Sequence, residues 1–118
     1  MAGIVFFRTT ELLKLREFYE NRVGAELWRD QGDCLIFQKG DFRFGFCQTD
    51  DEPENCGILT FVYEEKGEVD EIYQRLKDIA IDPPESRVPH YDIYQFFGED
   101  PEGRTIEFQC FLDGPDET

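Results

Sequence analysis

The sequence predicts an α+β fold built from two copies of a β-α-β-β-β unit. Three observations carry this. A period-2 run, a period-3.6 run and three further period-2 runs follow one another along the chain, and the series then repeats. Ile4 and Ile58, Phe7 and Phe61, and Tyr19 and Tyr73 are each 54 positions apart with no gap. At 118 residues, with 40% hydrophobic and 15% aromatic residues, the chain has material for one ordinary hydrophobic core and too little for two.

The first module opens with a strand from Gly3 to Arg8. A helix is expected from Thr10 to Arg22, because Leu12, Leu15, Phe18 and Tyr19 form one stripe, Thr9 or Thr10 serves as N-cap and Gly24 as the stop. Strands then run from Ala25 to Arg29, Cys34 to Gln38 and Phe42 to Gln48, with Gln31-Gly32-Asp33 and Lys39-Gly40-Asp41 as hairpin turns. The second module repeats the order. A strand spans Gly57 to Tyr63, and Val69, Ile72, Tyr73, Leu76 and Ile79 stripe a helix from Glu68 to Ala80 that Pro83-Pro84 ends. Strands follow from Ser86 to His90, Ile93 to Phe97 and Thr105 to Phe111, the last two joined by Asp100-Pro101-Glu102-Gly103, whose residues suit a type I turn. The whole reads as a single domain, with module one at about 3–48, a polar linker at 49–56, module two at about 57–112 and a tail at 113–118.

Composition narrows the function classes. The net charge of −15, from 27 acidic against 12 basic residues, repels phosphate backbones and anionic membrane surfaces, so neither nucleic acid nor membrane is an expected partner. The start, Met1 to Arg8, carries no basic leader, and its apolar run is too short for a signal or membrane segment. A cytoplasmic protein is expected, with acidity serving solubility. Cys34, Cys47, Cys56 and Cys110 show no C-x-x-C spacing and read as structural, reduced thiols rather than as a zinc site.

Three stretches carry a family resemblance. Arg16-Glu17-Phe18-Tyr19-Glu20-Asn21-Arg22-Val23-Gly24, Gly57-Ile58-Leu59-Thr60-Phe61-Val62 and Asp100-Pro101-Glu102-Gly103-Arg104-Thr105-Ile106-Glu107 resemble the end of the first helix, the opening of the second module and the closing hairpin of the vicinal-oxygen-chelate superfamily. That superfamily includes glyoxalase I, bleomycin-resistance proteins and extradiol dioxygenases. The resemblance implies that the tandem modules form a curved mixed sheet around a cup that holds the ligand, with helices on the convex side, and that the protein is a homodimer. It also implies where a metal would sit: at a histidine on the first strand of each module and a glutamate near the end of the last strand. Here those strand positions hold Ile4 and Ile58, and only Glu107 matches by type; its counterpart in module one is Gly45 or Phe44. Isoleucine has no donor atom and a catalytic divalent ion needs about three protein ligands, so no metal and no other cofactor is expected. The metal-free, ligand-sequestering type, as in bleomycin resistance, is the nearer analogue.

If Ile4, Ile58 and Glu107 mark the cup, period-2 alternation adds Phe6 and Arg8, Thr60 and Val62, Arg43, Gly45 and Cys47, and Thr105 and Gln109 to that face. Val5, Phe7, Phe42, Phe44, Phe46, Leu59, Phe61, Ile106 and Phe108 then form the core. The ligand-binding candidates are Phe6, Arg8, Arg43, Thr60, Gln109 and Glu107, and the catalytic candidates are Glu107 and His90. Ordinary packing also accounts for Phe6, Ile4 and Ile58, and a surface charge for Arg8 and Arg43. Glu107 in an apolar cup needs a cationic or hydrogen-bonding partner, for which Arg8, Arg43, Thr60 and Gln109 are available. His90, the one histidine, would act as a base with Asp92 or Glu107 nearby. No glycine-rich phosphate loop occurs, and Ser86 lacks a nucleophile's context. The leading expectation is a small-molecule-binding protein independent of metal. A lyase or isomerase of the same fold using Glu107 or His90, with or without an atypical metal, is one alternative; a non-catalytic interaction module with a filled cup is the other.

Overall fold

Phe44 and Phe46 alternate with Arg43, Gly45 and Cys47 along β4 (Phe42–Gln48), and this alternation sets the two faces of the first sheet. The computed structural model describes residues 1–87 and 92–112. Contacts divide the chain into one unit of Met1–Cys56 with Asp100–Gly103, and a second of Gly57–Glu99 with the chain from Arg104 onward. In the first unit β1 (Val5–Thr9) lies parallel to β4, and β3 (Cys34–Lys39) and β2 (Glu26–Asp30) continue antiparallel, giving the order β1-β4-β3-β2. Between β1 and β2 runs helix α1 (Leu12–Glu17), continued by the π-helical segment Phe18–Val23. Its buried face carries Leu12, Leu15, Phe18, Tyr19 and Val23. The Tyr19 ring, fully buried, lies 5.1 Å from Phe44 and 5.3 Å from Phe46. Its hydroxyl donates to Asp100 Oδ2 at 2.7 Å, which satisfies a phenol that would otherwise be stranded in an aromatic core. The Asp100–Gly103 turn closes as its residues suggest, the Gly103 amide donating to the Asp100 carbonyl at 2.9 Å. Its Glu102 carboxylate accepts from the Thr9 hydroxyl (2.7 Å) and the Thr10 amide (3.1 Å).

The second unit repeats the plan with β5 (Ile58–Tyr63), α2 (Lys66–Leu76), β6 (Glu85–Arg87), β7 (Ile93–Glu99) and β8 (Thr105–Phe111), in the order β5-β8-β7-β6 with β5 parallel to β8. Val69, Ile72 and Leu76 of α2 bury against this sheet, whose inner face stacks Phe61 on Phe108 (5.2 Å) and Phe96 on Phe108 (5.1 Å). The recurrence of Phe7 and Phe61 has a structural meaning: Phe7 stacks on its ladder partner Phe46 as Phe61 stacks on Phe108.

Several local expectations are corrected. Helix α1 begins at Leu12, not Thr10, because β1 extends through Thr9, and the Thr9 hydroxyl accepts from the Glu11 amide (2.9 Å) ahead of an N-cap at Glu11. The second half of that helix is π-helical, and Gly24, at φ 87°, ends it as expected. Helix α2 starts earlier, at Lys66, where Glu65 and Glu68 make a reciprocal capping box, and it stops at Leu76 well before the prolines. Past its end the Ile79 and Ala80 amides both donate to the Leu76 carbonyl, tightening the last turn, and Ala80 bridges to Gly98. Val5, assigned to the core, is exposed, and Phe7 and Phe42 are half-buried. The reading of reduced thiols is corrected for two of the four cysteines: Cys34 and Cys47 form a disulfide, because antiparallel β3 and β4 bring them opposite one another. Cys56 and Cys110 are free. Among the described residues, no helix is long and apolar enough to cross a membrane.

Candidate functional site

Along β8, Ile106, Phe108 and Cys110 point to the α2 side, so alternation turns Thr105, Glu107, Gln109 and Phe111 to the opposite face. The ladders extend that face sideways. Thr60 on β5 and Phe97 on β7 flank Glu107, Val62 and Gln95 flank Gln109, and Arg87 on β6 stands beside Ile93. A pocket of about 550 Å³ opens on this face, lined by Arg87, Ile93, Gln95, Phe97, Glu107, Gln109 and Phe111, all in the second unit.

At the centre lies Glu107, only 9% exposed. Thr60 Oγ1 donates to its Oε1 at 2.8 Å and Gln109 Nε2 to the same oxygen at 3.2 Å. With its amide oriented to suit both neighbours, buried Gln95 donates to Glu107 Oε2 at 3.0 Å and accepts from Arg87 Nε at 2.9 Å. Arg87 also pairs with Glu85 at 3.2 Å. The carboxylate is therefore held by neutral donors, in a setting where an unpartnered one would be costly.

The tyrosines with shifted acidity, Tyr63 and Tyr94, sit on the other face of the sheet. Burial pushes the Tyr63 hydroxyl well above the usual phenol range. The Tyr94 hydroxyl, bonded to Asp70 Oδ1 at 2.5 Å, is pushed up to about 12, first by that bond and then by burial.

Of the residues singled out from sequence, Glu107, Thr60 and Gln109 come together here. Phe6, Arg8 and Arg43 belong to the first unit. Its ladder resolves the counterpart of Glu107 as Gly45, since Phe6 pairs with Gly45 as Thr60 pairs with Glu107. A Cβ at position 45 would stand 2.7 and 2.8 Å from carbons of the Phe6 ring and 3.1 Å from the Leu35 carbonyl oxygen, so the two crowd that position. Arg8 is exposed, and its backbone amide donates to Glu54 Oε1 (2.8 Å). Arg43 donates to Gln38 Oε1 (2.8 Å) and lies 4.2 Å from the centroid of the Trp28 ring. His90 lies outside the described residues. Gln95, Arg87, Ile93, Phe97 and Phe111 were missed. The signal for three of them was present, since Ile93, Gln95 and Phe97 alternate along β7 as Thr105, Glu107 and Gln109 do along β8.

The donor set does not fit a metal of the superfamily type. Ile58 pairs with Thr105 beside the glutamate, Ile4 precedes β1, and the glutamate's oxygens already accept from Thr60, Gln95 and Gln109. Among the described residues, no group of three or more His, Cys, Asp or Glu side chains is placed to hold an ion.

No protein-family model matches the chain, and no curated protein matches it in sequence. Solved structures do match in fold. A glyoxalase/bleomycin resistance protein/dioxygenase from Nocardioides superposes with a TM-score of 0.75 at 17% identity, over 100% of this chain and 87% of that one. A protein of the same description from Alicyclobacillus acidocaldarius gives 0.76 at 17% identity, over 96% and 92%. Lactoylglutathione lyase from Agrobacterium tumefaciens gives 0.73 at 18% identity, over 93% and 92%. With the repeated β-α-β-β-β order, these matches show that the chain shares the fold of the glyoxalase/bleomycin resistance/dioxygenase proteins.

Proposed function

We propose that this protein binds a small organic molecule, without a metal ion, in the pocket on the β6–β7–β8 face of the second unit. The carrying observation is the pocket itself. At about 550 Å³ it is of the size that small ligands use, and it sets a short polar row of Gln95, Glu107 and Gln109 among Ile93, Phe97 and Phe111. Apolar walls supply contact area, while a few oriented polar groups select what enters. Glu107, Thr60 and Gln109 belong to this site; Phe6, seated over Gly45, reads as packing surface of the first unit and not as a second site.

The test is a screen of small aromatic and aliphatic compounds by amide chemical-shift mapping. Binding should move the signals of Gln95, Phe97, Glu107, Gln109 and Phe111, and Phe97→Ala should weaken it. Shifts confined to the α2 side of the sheet would overturn the site. A chelator should leave both binding and melting temperature unchanged. The resemblance also carries the expectation of a homodimer, against which a light-scattering mass of 13.9 kDa would count.

A further inference from the structure

We propose that the molecule taken by this pocket is an organic cation, an ammonium group carried on an aromatic or aliphatic body. The inference rests on the binding reading above and deepens it from the charge arrangement around Glu107. A carboxylate offers about four acceptor positions on its two oxygens. Donors among the described residues use three of them: Thr60 and Gln109 on Oε1, and Gln95 on Oε2. All three donors are neutral. They orient the group and leave its charge unanswered, in a residue only 9% exposed.

Arg87, the cation among the described residues that line the pocket, is engaged elsewhere. Arg87 gives its Nε to Gln95 at 2.9 Å and pairs with Glu85 at 3.2 Å, so its charge is met at the β6 edge. Among the described residues, the negative charge at the pocket floor therefore has no cation bonded directly to it. A compact N–H donor of positive charge meets both needs there, taking the acceptor position on Oε2 that the protein does not use and neutralising the carboxylate where screening is weak. An anionic ligand is repelled at the same point, and a neutral donor fills the hydrogen bond without cancelling the charge. Phe97 and Phe111 give the ligand's body an apolar, aromatic wall. The net charge of −15 further enriches cations around the whole molecule.

Three probes of one shape separate the possibilities: 2-phenylethylamine, 2-phenylethanol and 3-phenylpropionate, titrated calorimetrically into the full chain near neutral pH and low salt. The amine should bind at least about tenfold more tightly than the alcohol, as expected for a hydrogen bond between charged groups, and the carboxylate most weakly. Glu107→Gln should erase the preference of amine over alcohol. Arg87→Gln, a change at an exposed residue, should strengthen the amine a few-fold and so tests the charge logic even if the Glu107 variant fails to fold. An amine no tighter than the alcohol, or a preference that survives in Glu107→Gln, overturns the cation proposal while alcohol binding keeps the pocket reading. Failure of all three probes to bind at millimolar concentration overturns both.

Discussion

The two sheets carry the same ladder and opposite chemistry. In the first unit, one row across the strands reads Phe6, Gly45, Ile36, and the next reads Arg8, Cys47, Cys34. The equivalent rows of the second unit read Thr60, Glu107, Phe97 and then Val62, Gln109, Gln95. Where the first unit has an aromatic ring lying on a glycine, the second has a hydroxyl donating to a carboxylate. Where the first has a disulfide, the second has two amides holding that carboxylate. The second row set lines a pocket with polar content, although phenylalanines pack behind both faces. Scaffold and site are thus separable: alternation along each strand lets one face preserve the core while the other changes.

That comparison can be strained from the scaffold side first. Phe46→Ala and Phe108→Ala should each cost about 3–5 kcal/mol, because each removes a fully buried ring at the equivalent place, and denaturant melts should show similar losses. A loss in only one of the two would break the equivalence. Next comes the disulfide, which has no counterpart in the second unit. With Cys34 and Cys47 separated by 13 positions, opening the bond should lower stability by about 3 kcal/mol, seen as a drop in melting temperature on adding reductant and matched by Cys34→Ser with Cys47→Ser.

A smaller contrast concerns Tyr19 and Tyr73, the repeated tyrosines. Tyr19→Phe strips a buried Asp100 carboxylate of a hydrogen bond and should cost about 1–3 kcal/mol. Tyr73, half-buried with its ring against Phe96, should tolerate the same change within about 0.5 kcal/mol in parallel melts. A further contrast is the Phe6–Gly45 contact of the first unit. Gly45→Ala should cost about 1 kcal/mol by displacing the Phe6 ring, and less in a Phe6→Ala background. Equal costs in the two backgrounds would show that the nearby Leu35 carbonyl, at 3.1 Å, and not the ring, is what excludes a side chain.

Much of the architecture was legible because it is written in local pattern. The bounds read for the strands at Phe42–Gln48 and Thr105–Phe111 are those observed, since both are continuous alternating runs between clear turn residues. The ends of α2 were not, because a capping box at Glu65 and Glu68 started it and tertiary bridging at Ala80 followed its end, while Pro83 and Pro84 only looked decisive. On the site face, Thr60, Glu107 and Gln109 follow from alternation within β5 and β8. Alternation along β7 also offered Ile93, Gln95 and Phe97, but that Gln95 stands beside Gln109 and Arg87 beside Ile93 needed the pairing of β7 with β8 and of β6 with β7, which no spacing along the chain reveals.

Local pattern sufficed for the α+β class, the doubled β-α-β-β-β order, the core phenylalanines of β4 and β8 and the glutamate among them, because period-2 and period-3.6 burial act on neighbouring residues. Three matters waited on the folded chain: the bond between Cys34 and Cys47, the identity of Gly45 as the partner position to Glu107, and Gln95 as a donor to that carboxylate beside Thr60 and Gln109. Each depends on which residues of different strands stand opposite one another. Register is a long-range property, set by the burial of whole faces at once, and a slip of one residue would have turned every one of these side chains to the other side of its sheet.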